Sequence, residues 1–545
     1  MARRTTTRGF ARVMDASMLN WRIRYQRVLS YYPELLDPQF SVLEIGSHPH
    51  GIAALLGRSV TGINTHWQNT PSQWVVPVAA SPLSLPFADN AFDHVVCVDT
   101  LNHIAPPDRD RAISEMARVA RRKVILSVPC GALAMESDRQ LAATLRRMGM
   151  NLPAWLQEHV IRALPSVADM LGMLAKTPFR FEVHTNEAML QHYGGLLLDL
   201  FYPFSQRISS SEQAKKRQQV LPAGDWEVYY SYLFHLSKDG HGMPREKQVQ
   251  PSCIAKAAEQ EIALYAVYHR RLPLAPDTGI TPIYVGEAAQ EASAGERTET
   301  ADTTLDNSRW SELSGVHEIW RNGPRSKFVG FCHYRRVFDF SRGSAGPRQP
   351  FSSGNQRSTP LHYDAYLSRA QGTAARHALA HFEAHADTLI VAPPLALDGS
   401  VWDQYTVTHN ANDLCSVTNL IARSHPHMSP HLAETFGANA LYANNLFITR
   451  WDHFDELCEL WFEVLGAFER SVPVRTEDRY QRRDISFLAE RIFDTWVRFR
   501  VAQGTKLVTV PILEITYPDL DTTAWSRAAP PTLPARRAQA QGVHP

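Results

Sequence analysis

The chain has 545 residues, too many for a single hydrophobic core, and this length predicts more than one domain. Its composition, with 44% hydrophobic and 20% charged residues, is typical of a globular protein. The 56 basic and 55 acidic residues leave a formal net charge of +1, which argues against a dedicated nucleic-acid binder.

The sequence contains no run of eighteen apolar residues, and its basic N-terminus has no hydrophobic signal segment. The six cysteines are scattered without a CxxC pair, which favours buried free thiols in a reducing compartment. We therefore expect a cytoplasmic protein, and a peripheral contact with the inner membrane stays open.

Strands and helices alternate along the chain, which predicts an α/β protein with parallel sheets. The predicted parts are a helical extension (1–38), a first α/β domain (39–204), a connecting segment (205–258), a second α/β domain (259–520) and a disordered tail (521–545). Within the connecting segment, the aromatic-rich run Trp226–Leu236 predicts a strand. The tail is too poor in apolar residues to form a core.

The first domain contains a glycine turn between a strand and a helix. The predicted strand Ser41–Ile45 runs into Gly46, and Gly51 opens the helix. Such a turn lets a ligand approach the backbone where a Cβ would obstruct it. The next predicted strand ends at Asn64, so a nucleoside-type cofactor is expected at the carboxyl ends of these strands.

Two later stretches, LPFADNAFDHVV (85–96) and EMARVARRKVILSVP (115–129), follow in an order that resembles the class I S-adenosylmethionine-dependent methyltransferases. The resemblance covers roughly residues 39–200 and implies a Rossmann-like domain with S-adenosylmethionine as cofactor. The residues that it implies around the cofactor are Glu44, Gly46, Gly51 and Asn64, with Ser81 and Leu85 near the adenine. His103 follows the third strand at an active-site position, and Glu158-His159 resembles a subgroup linked to surface-polysaccharide loci.

Two departures from that family bear on its activity. Asn64 stands where the family places an acid that accepts both ribose hydroxyls, and an amide accepts only through its oxygen. His48, Pro49 and His50 stand where further glycines are usual. The domain is therefore expected either to transfer methyl groups or to serve as a recognition or scaffold module.

The second domain contains a strand, Phe328–Cys332, that ends in His333, Tyr334, Arg335 and Arg336. Open α/β sheets bind ligands at the carboxyl ends of their strands. Two adjacent guanidinium groups suit a diphosphate, because they bind phosphate oxygens bidentately and stay charged.

Other motifs flank this strand in a set order. A predicted helix Arg309–Arg321 contains Glu312, and the segments Asn445–Ile448 and Glu490-Arg491 follow later. This order resembles a family of bacterial capsular-polysaccharide and lipopolysaccharide proteins with a GxxHYRR core, over about residues 260–515. The resemblance implies a GT-A-like glycosyltransferase domain that uses a nucleotide-sugar donor and a glycan acceptor.

Glycosyl transfer must stabilise a departing nucleoside diphosphate. The second domain has no Asp-x-Asp pair at a strand end, so either a metal is held differently or Arg335 and Arg336 neutralise the diphosphate, which we favour. His333 is the candidate for contact with the leaving group, and Glu312 and Asp306 for acceptor binding or proton abstraction.

These observations predict a glycosyltransferase that builds a bacterial surface polysaccharide and carries a fused methyltransferase domain. Two alternatives stay open. Either only the glycosyltransferase is active, or the chain is a non-enzymatic polysaccharide-assembly protein.

Overall fold

The computed structural model describes residues 19–48, 51–67, 70–190, 192–193, 228–238, 260–270, 279–292, 299–300, 305–340, 358–362, 373–474 and 481–516. The chain forms two compact units, Met1–Gln248 with Asn410–Ala433, and Val249–His409 with Glu434–Pro545. The predicted tail, most of the connecting segment and the first half of the helical extension lie outside the described residues.

Within the described part of the first unit, seven strands form one sheet: β1 (Val42–Ile45), β2 (Val60–Asn64), β3 (Val75–Ala79), β4 (Phe92–Val98), β5 (Ala120–Pro129), β6 (Arg180–Thr185) and β7 (Ser231–Ser237). Their order across the sheet is β3-β2-β1-β4-β5-β7-β6. Strands β1 to β5 are parallel to one another, and β7 is antiparallel to both β5 and β6. All four residues of β1 are buried, as expected for a parallel strand covered on both faces.

In the described residues up to Ser237, six α-helices precede or connect these strands: α1 (Leu19–Tyr31), α2 (Ala53–Leu56), α3 (Arg109–Val119), α4 (Gly131–Arg147), α5 (Ala154–Ile161) and α6 (Val167–Ala175). Helix α3 is amphipathic and buries Ala112, Ile113 and Met116, at i, i+1 and i+4. Helix α6 begins with a capping box, in which the Ser166 side chain accepts from the Asp169 amide.

The chain reverses direction across the first sheet between β1 and β4. Strands β2 and β3 lie on one side of β1, and β4 and β5 lie on the other. This arrangement creates a topological switch point, where the carboxyl ends of the strands leave a crevice for ligands. The Rossmann-like prediction for this unit is confirmed.

Strand β7 shows that the predicted connecting segment (205–258) contains part of the first domain. The expected strand at Trp226–Leu236 exists as Ser231–Ser237 and lies between β5 and β6. Six of its seven residues are buried. The apolar pattern identified a strand, but it carried no information about which sheet the strand joins.

Among the residues of the second unit that the structure describes, ten strands form one sheet: β8 (Gln260–Tyr268), β9 (Thr281–Tyr284), β10 (Glu299–Thr300), β11 (Ser326–His333), β12 (Arg336–Phe338), β13 (Ser358–His362), β14 (Thr388–Val391), β17 (Phe447–Arg450), β18 (Lys506–Thr509) and β19 (Ile512–Thr516). Two further strands, β15 (Leu395–Ala396) and β16 (Ala440–Leu441), pair with each other. Strand β11 is parallel to β8 and antiparallel to β12 and β17. The prediction of a second α/β domain is confirmed.

The remaining helices are α7 (Glu287–Ala292), α8 (Asn307–Trp310), α9 (Leu313–Asn322), α10 (Thr373–Ala384), α11 (Val401–Thr408), α12 (Ala411–Ser424), α13 (Ser429–Gly437), α14 (Trp451–Ser471) and α15 (Asp484–Ala502). Helix α12 belongs to the first unit, and the division between the units falls within α13. The predicted single helix Arg309–Arg321 is broken into α8 and α9, because Ser311 adopts a left-handed φ of 48°.

The second sheet also has a switch point. Strands β8, β9 and β10 run outward in one direction, and β11 lies on the opposite side of β8. The carboxyl ends of β8 and β11 therefore meet beside a crevice. Strand β11 ends at His333, directly at this position.

Candidate active sites

In the first unit, Glu44 shapes the turn after β1. Its fully buried carboxylate accepts hydrogen bonds from the Tyr25 hydroxyl at 2.6 Å, the Ser47 hydroxyl at 2.7 Å and the Ile52 amide at 2.9 Å. Burial raises the pKa of Glu44. Glu44 therefore supports the cofactor turn from within, since three protein groups already occupy its oxygens.

The two predicted glycines of this turn both have left-handed backbones, with φ of 72° at Gly46 and 49° at Gly51. A Cβ at Gly46 would lie 2.0 Å from the Thr100 hydroxyl oxygen, and one at Gly51 would lie 2.1 Å from a Glu44 oxygen. Only glycine fits either position. The turn is packed tightly against the carboxyl ends of β1 and β4.

The other predicted cofactor residues lie in two different parts of the first unit. The Asn64 side chain donates to the Ser47 carbonyl at 3.1 Å, and its oxygen accepts from the His66 amide at 3.3 Å, so Asn64 belongs to the turn. The Ser81 hydroxyl accepts from the Leu83 amide in a separate turn. The buried Leu85 donates from its backbone amide to the Glu115 carboxylate of α3 at 2.9 Å. An aspartate at position 64 would lack the donor that binds the turn.

A pair of imidazole–acid contacts lies beyond the carboxyl ends of β4 and β5. His103 Nδ1 lies 2.6 Å from Glu158 Oε2. His159 Nδ1 lies 2.8 Å from the fully buried Asp138 carboxylate, and its other nitrogen lies 2.7 Å from the Asn102 amide. Burial lowers the pKa of His103, so its imidazole is neutral at neutral pH. The His103 side chain is 31% exposed, so a substrate can reach it.

Two buried groups next to these pairs lack hydrogen bonds. Neither carboxylate oxygen of Glu187 and neither nitrogen of His192 has a hydrogen-bond partner within the described part of the chain, although the two side chains are 3.3 Å apart. Glu187 is 2% and His192 is 4% exposed. Buried polar groups are nearly always satisfied, so unsatisfied ones indicate a place for a ligand.

In the second unit, the HYRR motif is a two-residue β-hairpin. His333 pairs with Arg336 across the hairpin, and Tyr334 and Arg335 form its tip. Directly opposed residues of an antiparallel pair point to the same face. His333 and Arg336 therefore share a face, whereas the Arg335 guanidinium lies 5.3 Å from the Tyr334 ring at the tip.

Glu312, the residue that precedes α9, lies next to the face of the hairpin that His333 and Arg336 share. Its Oε1 accepts from the Asn445 amide at 2.8 Å and lies 3.8 Å from His333 Nε2. Left-handed φ angles of 48° at Ser311 and 49° at Asn445 place these side chains at sharp turns. Asparagine tolerates that conformation, whereas for serine it is uncommon and marks local strain.

Two atoms of this group also lack partners. His333 Nε2 and Asn445 Oδ1 are buried and make no hydrogen bond to any residue that the structure describes. Burial lowers the pKa of His333, which favours the neutral imidazole. In the neutral imidazole, with Nδ1 bonded to the Asn444 backbone, Nε2 is an acceptor. Two acceptors are thus left available within reach of Glu312, as at a site that binds a ligand with hydroxyl groups.

Arg336 extends the group toward the turn before β17. It donates to Asn444 Oδ1 at 2.8 Å and lies 3.7 Å from Glu514. The Asn444 amide in turn donates to Glu490 at 2.8 Å. Arg336 is one-third exposed, so its guanidinium retains free donors for an anion.

Asp306 does not join this group. Its carboxylate caps α8 by accepting from the amide and hydroxyl of Ser308, at 2.9 and 2.8 Å. Asn444 and Asn445 were not predicted as site residues, although an Asn-Asn pair between two apolar runs is a turn signal. Glu187 and Asp138 had no recognisable signal, because each lies alone in its local sequence.

Each unit is thus an α/β domain with a group of polar side chains near its switch point. Residues 49–128 match the family of the methyltransferase domain. Residues 263–501 match a family described as a domain of unknown function (DUF4422). No curated protein matches the chain.

Several solved structures are similar. One is the apo structure of the bifunctional glycosyltransferase WbbM, with 19% identity, a TM-score of 0.39 and coverage of 47% of this chain and 46% of WbbM. Another is a possible histamine N-methyltransferase from Thermotoga maritima, with 17% identity, a TM-score of 0.26 and coverage of 41% and 92%. A third is the magnesium protoporphyrin IX methyltransferase from Synechocystis, with 15% identity, a TM-score of 0.23 and coverage of 41% and 82%. The chain thus spans less than half the length of WbbM.

Within the described residues, no helix is both long and apolar enough to cross a membrane.

Proposed function

We propose that the chain is a two-site glycan-assembly enzyme. The second unit transfers a sugar from a nucleotide-sugar donor to a hydroxyl of a bacterial surface polysaccharide. The first unit transfers a methyl group to a hydroxyl of such a glycan. The observation that carries the proposal is the group of Glu312, His333, Asn445 and Arg336 at the switch point of the second sheet.

In the sugar-transfer site, the donor diphosphate lies against Arg336, with Arg335 at the hairpin tip as a second cation. Guanidinium groups neutralise the charge that develops on the leaving diphosphate. Glu312 accepts the proton of the acceptor hydroxyl. His333 Nε2 and Asn445 Oδ1, which have no hydrogen-bond partner among the described residues, accept hydrogen bonds from sugar hydroxyls.

The test is a screen of nucleotide sugars for release of nucleoside diphosphate, with and without glycan acceptors. Glu312→Gln is expected to abolish turnover while binding of the nucleoside diphosphate persists. Glu318→Gln, on the same helix, is the matched control, since Glu318 contacts only Asn322 among the partners described for it. Wild-type protein that neither binds nor cleaves any nucleotide sugar would contradict the proposal.

The first unit has features that fit S-adenosylmethionine, which supplies an electrophilic methyl group when bound. The left-handed Gly46 and Gly51 allow backbone approach, and Asn64 Oδ1 offers one acceptor to a ribose. The buried, unsatisfied Glu187 suits a ligand that carries positive charge or donors. Arg24, paired with Asp99, lies over the same edge of the sheet.

Methylation of a hydroxyl requires removal of its proton. With Nδ1 of His103 held by Glu158, Nε2 is the nitrogen that accepts this proton, and Glu158 stabilises the resulting imidazolium. Calorimetric titration with S-adenosylmethionine tests the cofactor. Absence of binding at millimolar concentration would leave the first unit as a recognition or scaffold module and the second unit as the only catalyst.

A further inference from the structure

A second set of imidazole and carboxylate side chains lies on the strands β6 and β7, away from the methyl-transfer site. Glu182 is directly opposite His235 in the antiparallel register, and His184 is two residues further along β6. Because side chains alternate between faces along a strand, these three share one face. The sheet itself therefore brings them together.

Their ligand atoms are already close. One ligand atom from each residue lies within 4.8 Å of the others. Glu182 Oε2 is 3.3 Å from His184 Nε2 and 4.0 Å from His235 Nδ1. Tetrahedral zinc with bonds of about 2.1 Å separates its ligand atoms by roughly 3.4 Å, so small side-chain rotations complete the set.

Two tyrosines orient the rings. Tyr31 stacks on His184 with ring centroids 4.6 Å apart, and the Tyr32 hydroxyl lies 2.8 Å from His235 Nδ1. An ion bound at the other nitrogen of His235 keeps this hydrogen bond as support for the ring, whereas an ion at Nδ1 displaces it.

We propose that Glu182, His184 and His235 bind one divalent transition-metal ion, with Zn²⁺ as the best fit. Two imidazoles favour Zn²⁺, Co²⁺ or Ni²⁺ over Mg²⁺ and Ca²⁺. The three residues line a cavity of about 490 Å³, which leaves room for an exogenous ligand on the ion. Three protein ligands with an open position are typical of catalytic rather than structural zinc.

The charges around the cavity define the class of that ligand. Lys123, Arg180 and Arg423 also line the cavity. These cations disfavour a bare divalent ion and favour an ion that carries an anionic oxygen ligand, such as a phosphate or a carboxylate. The site is separate from the methyl-transfer site, because His235 pairs with Ile125, four residues before the carboxyl end of β5 and so about 13 Å from it.

Metal-free full-length protein, prepared with a chelator, tests the proposal by titration with Zn²⁺ and with Co²⁺ as a visible probe. One equivalent of tightly bound ion is expected, together with the visible absorption of Co²⁺ in a site of low coordination number. Glu182→Gln and His184→Ala are each expected to weaken binding at least tenfold. His377→Ala, which removes an exposed histidine of the second unit, is expected to bind as wild type does.

Circular dichroism confirms that each variant is folded, and the half-exposed Glu182 makes Glu182→Gln the safest of them. Wild type that binds no ion, or a folded Glu182→Gln that binds as tightly as wild type, would overturn the proposal. Inorganic phosphate added to the Co²⁺ form is expected to change its spectrum, and an unchanged spectrum would overturn the inferred open position for an anion. Neither outcome depends on methyl or sugar transfer.

Discussion

The two candidate sites lie at equivalent positions of the two sheets, but they differ in how far the hydrogen bonds of their side chains are satisfied by protein. Each site lies where the strand order reverses, between β1 and β4 in one unit and between β8 and β11 in the other. In the first unit, protein groups stabilise the turn itself, since the Glu44 carboxylate and the Asn64 side-chain nitrogen make their hydrogen bonds within it. In the second unit, His333 and Asn445 keep unsatisfied atoms beside Glu312.

A shared topology therefore determines where a site lies, whereas a few side chains determine its chemistry. Among the described residues of the first unit, Glu187 and His192 carry buried polar atoms without hydrogen bonds, and neither residue belongs to the cofactor turn. The reactive part of this unit is therefore expected around the acceptor rather than on the cofactor turn. A substitution in one site is therefore expected to leave the activity of the other site unchanged.

The largest effect is expected at Glu312. Glu312→Gln removes the carboxylate that accepts the acceptor proton, so the rate of sugar transfer is expected to fall about 10³-fold. Methyl transfer by the same sample is expected to stay unchanged, because Glu312 belongs to the second unit. A steady-state assay of nucleoside diphosphate release measures the effect, and a less than threefold change would remove Glu312 from the mechanism.

His103 is the proton acceptor proposed for methyl transfer in the first unit, as Glu312 is for sugar transfer in the second. His103→Ala is expected to lower methyl transfer about 10²-fold without affecting sugar transfer. Because burial lowers the pKa of His103, the wild-type rate is expected to fall only when the pH drops below about 6.5. Glu158→Gln removes a hydrogen bond that raises this pKa, so the acid limb is expected to move to lower pH. If the acid limb of the pH–rate profile of Glu158→Gln lies at the same pH as in the wild type, the hydrogen bond between His103 and Glu158 is contradicted.

The two arginines of the hairpin are expected to differ in how strongly they bind the nucleotide-sugar donor. Arg336 faces the same side as His333, whereas Arg335 lies at the tip against Tyr334. Arg336→Ala is expected to raise the KM for the donor about 30-fold, as the loss of a charged hydrogen bond predicts. Arg335→Ala is expected to raise it only a few-fold. Equal effects of the two variants would show that the hairpin geometry does not distinguish them.

The last effects concern stability, not catalysis, and are confined to the first unit. Gly46 and Gly149 have nearly the same φ, 72° and 71°, but a Cβ at Gly46 would meet Thr100 and one at Gly149 would meet nothing within 4 Å. Gly149→Ala is expected to lower the free energy of unfolding by about 1 kcal/mol, from backbone strain alone. Gly46→Ala is expected to lower it by about 3 kcal/mol, because the clash adds to that strain. Urea denaturation measures both, and equal losses would show that the turn is loosely packed.

Much of the fold was predictable because it depends on local patterns. The strand ending at His333 and the glycine turn at Gly46 follow from apolar runs and turn residues. The partner of β7 was not predictable, since its pattern is equally compatible with either sheet. Glu312 was predicted from a motif, but its contact with Asn445 joins residues 133 positions apart. Asp306 was predicted on the same basis and caps a helix instead.

The most direct test of the account is one assay that follows both products in parallel, with a nucleotide sugar, S-adenosylmethionine and a glycan acceptor present together. The account predicts that Glu312→Gln loses only sugar transfer from donor to acceptor and that His103→Ala loses only methyl transfer to an acceptor supplied in its final form. Loss of both products in either folded variant, or of neither, would contradict two independent active sites at the two switch points.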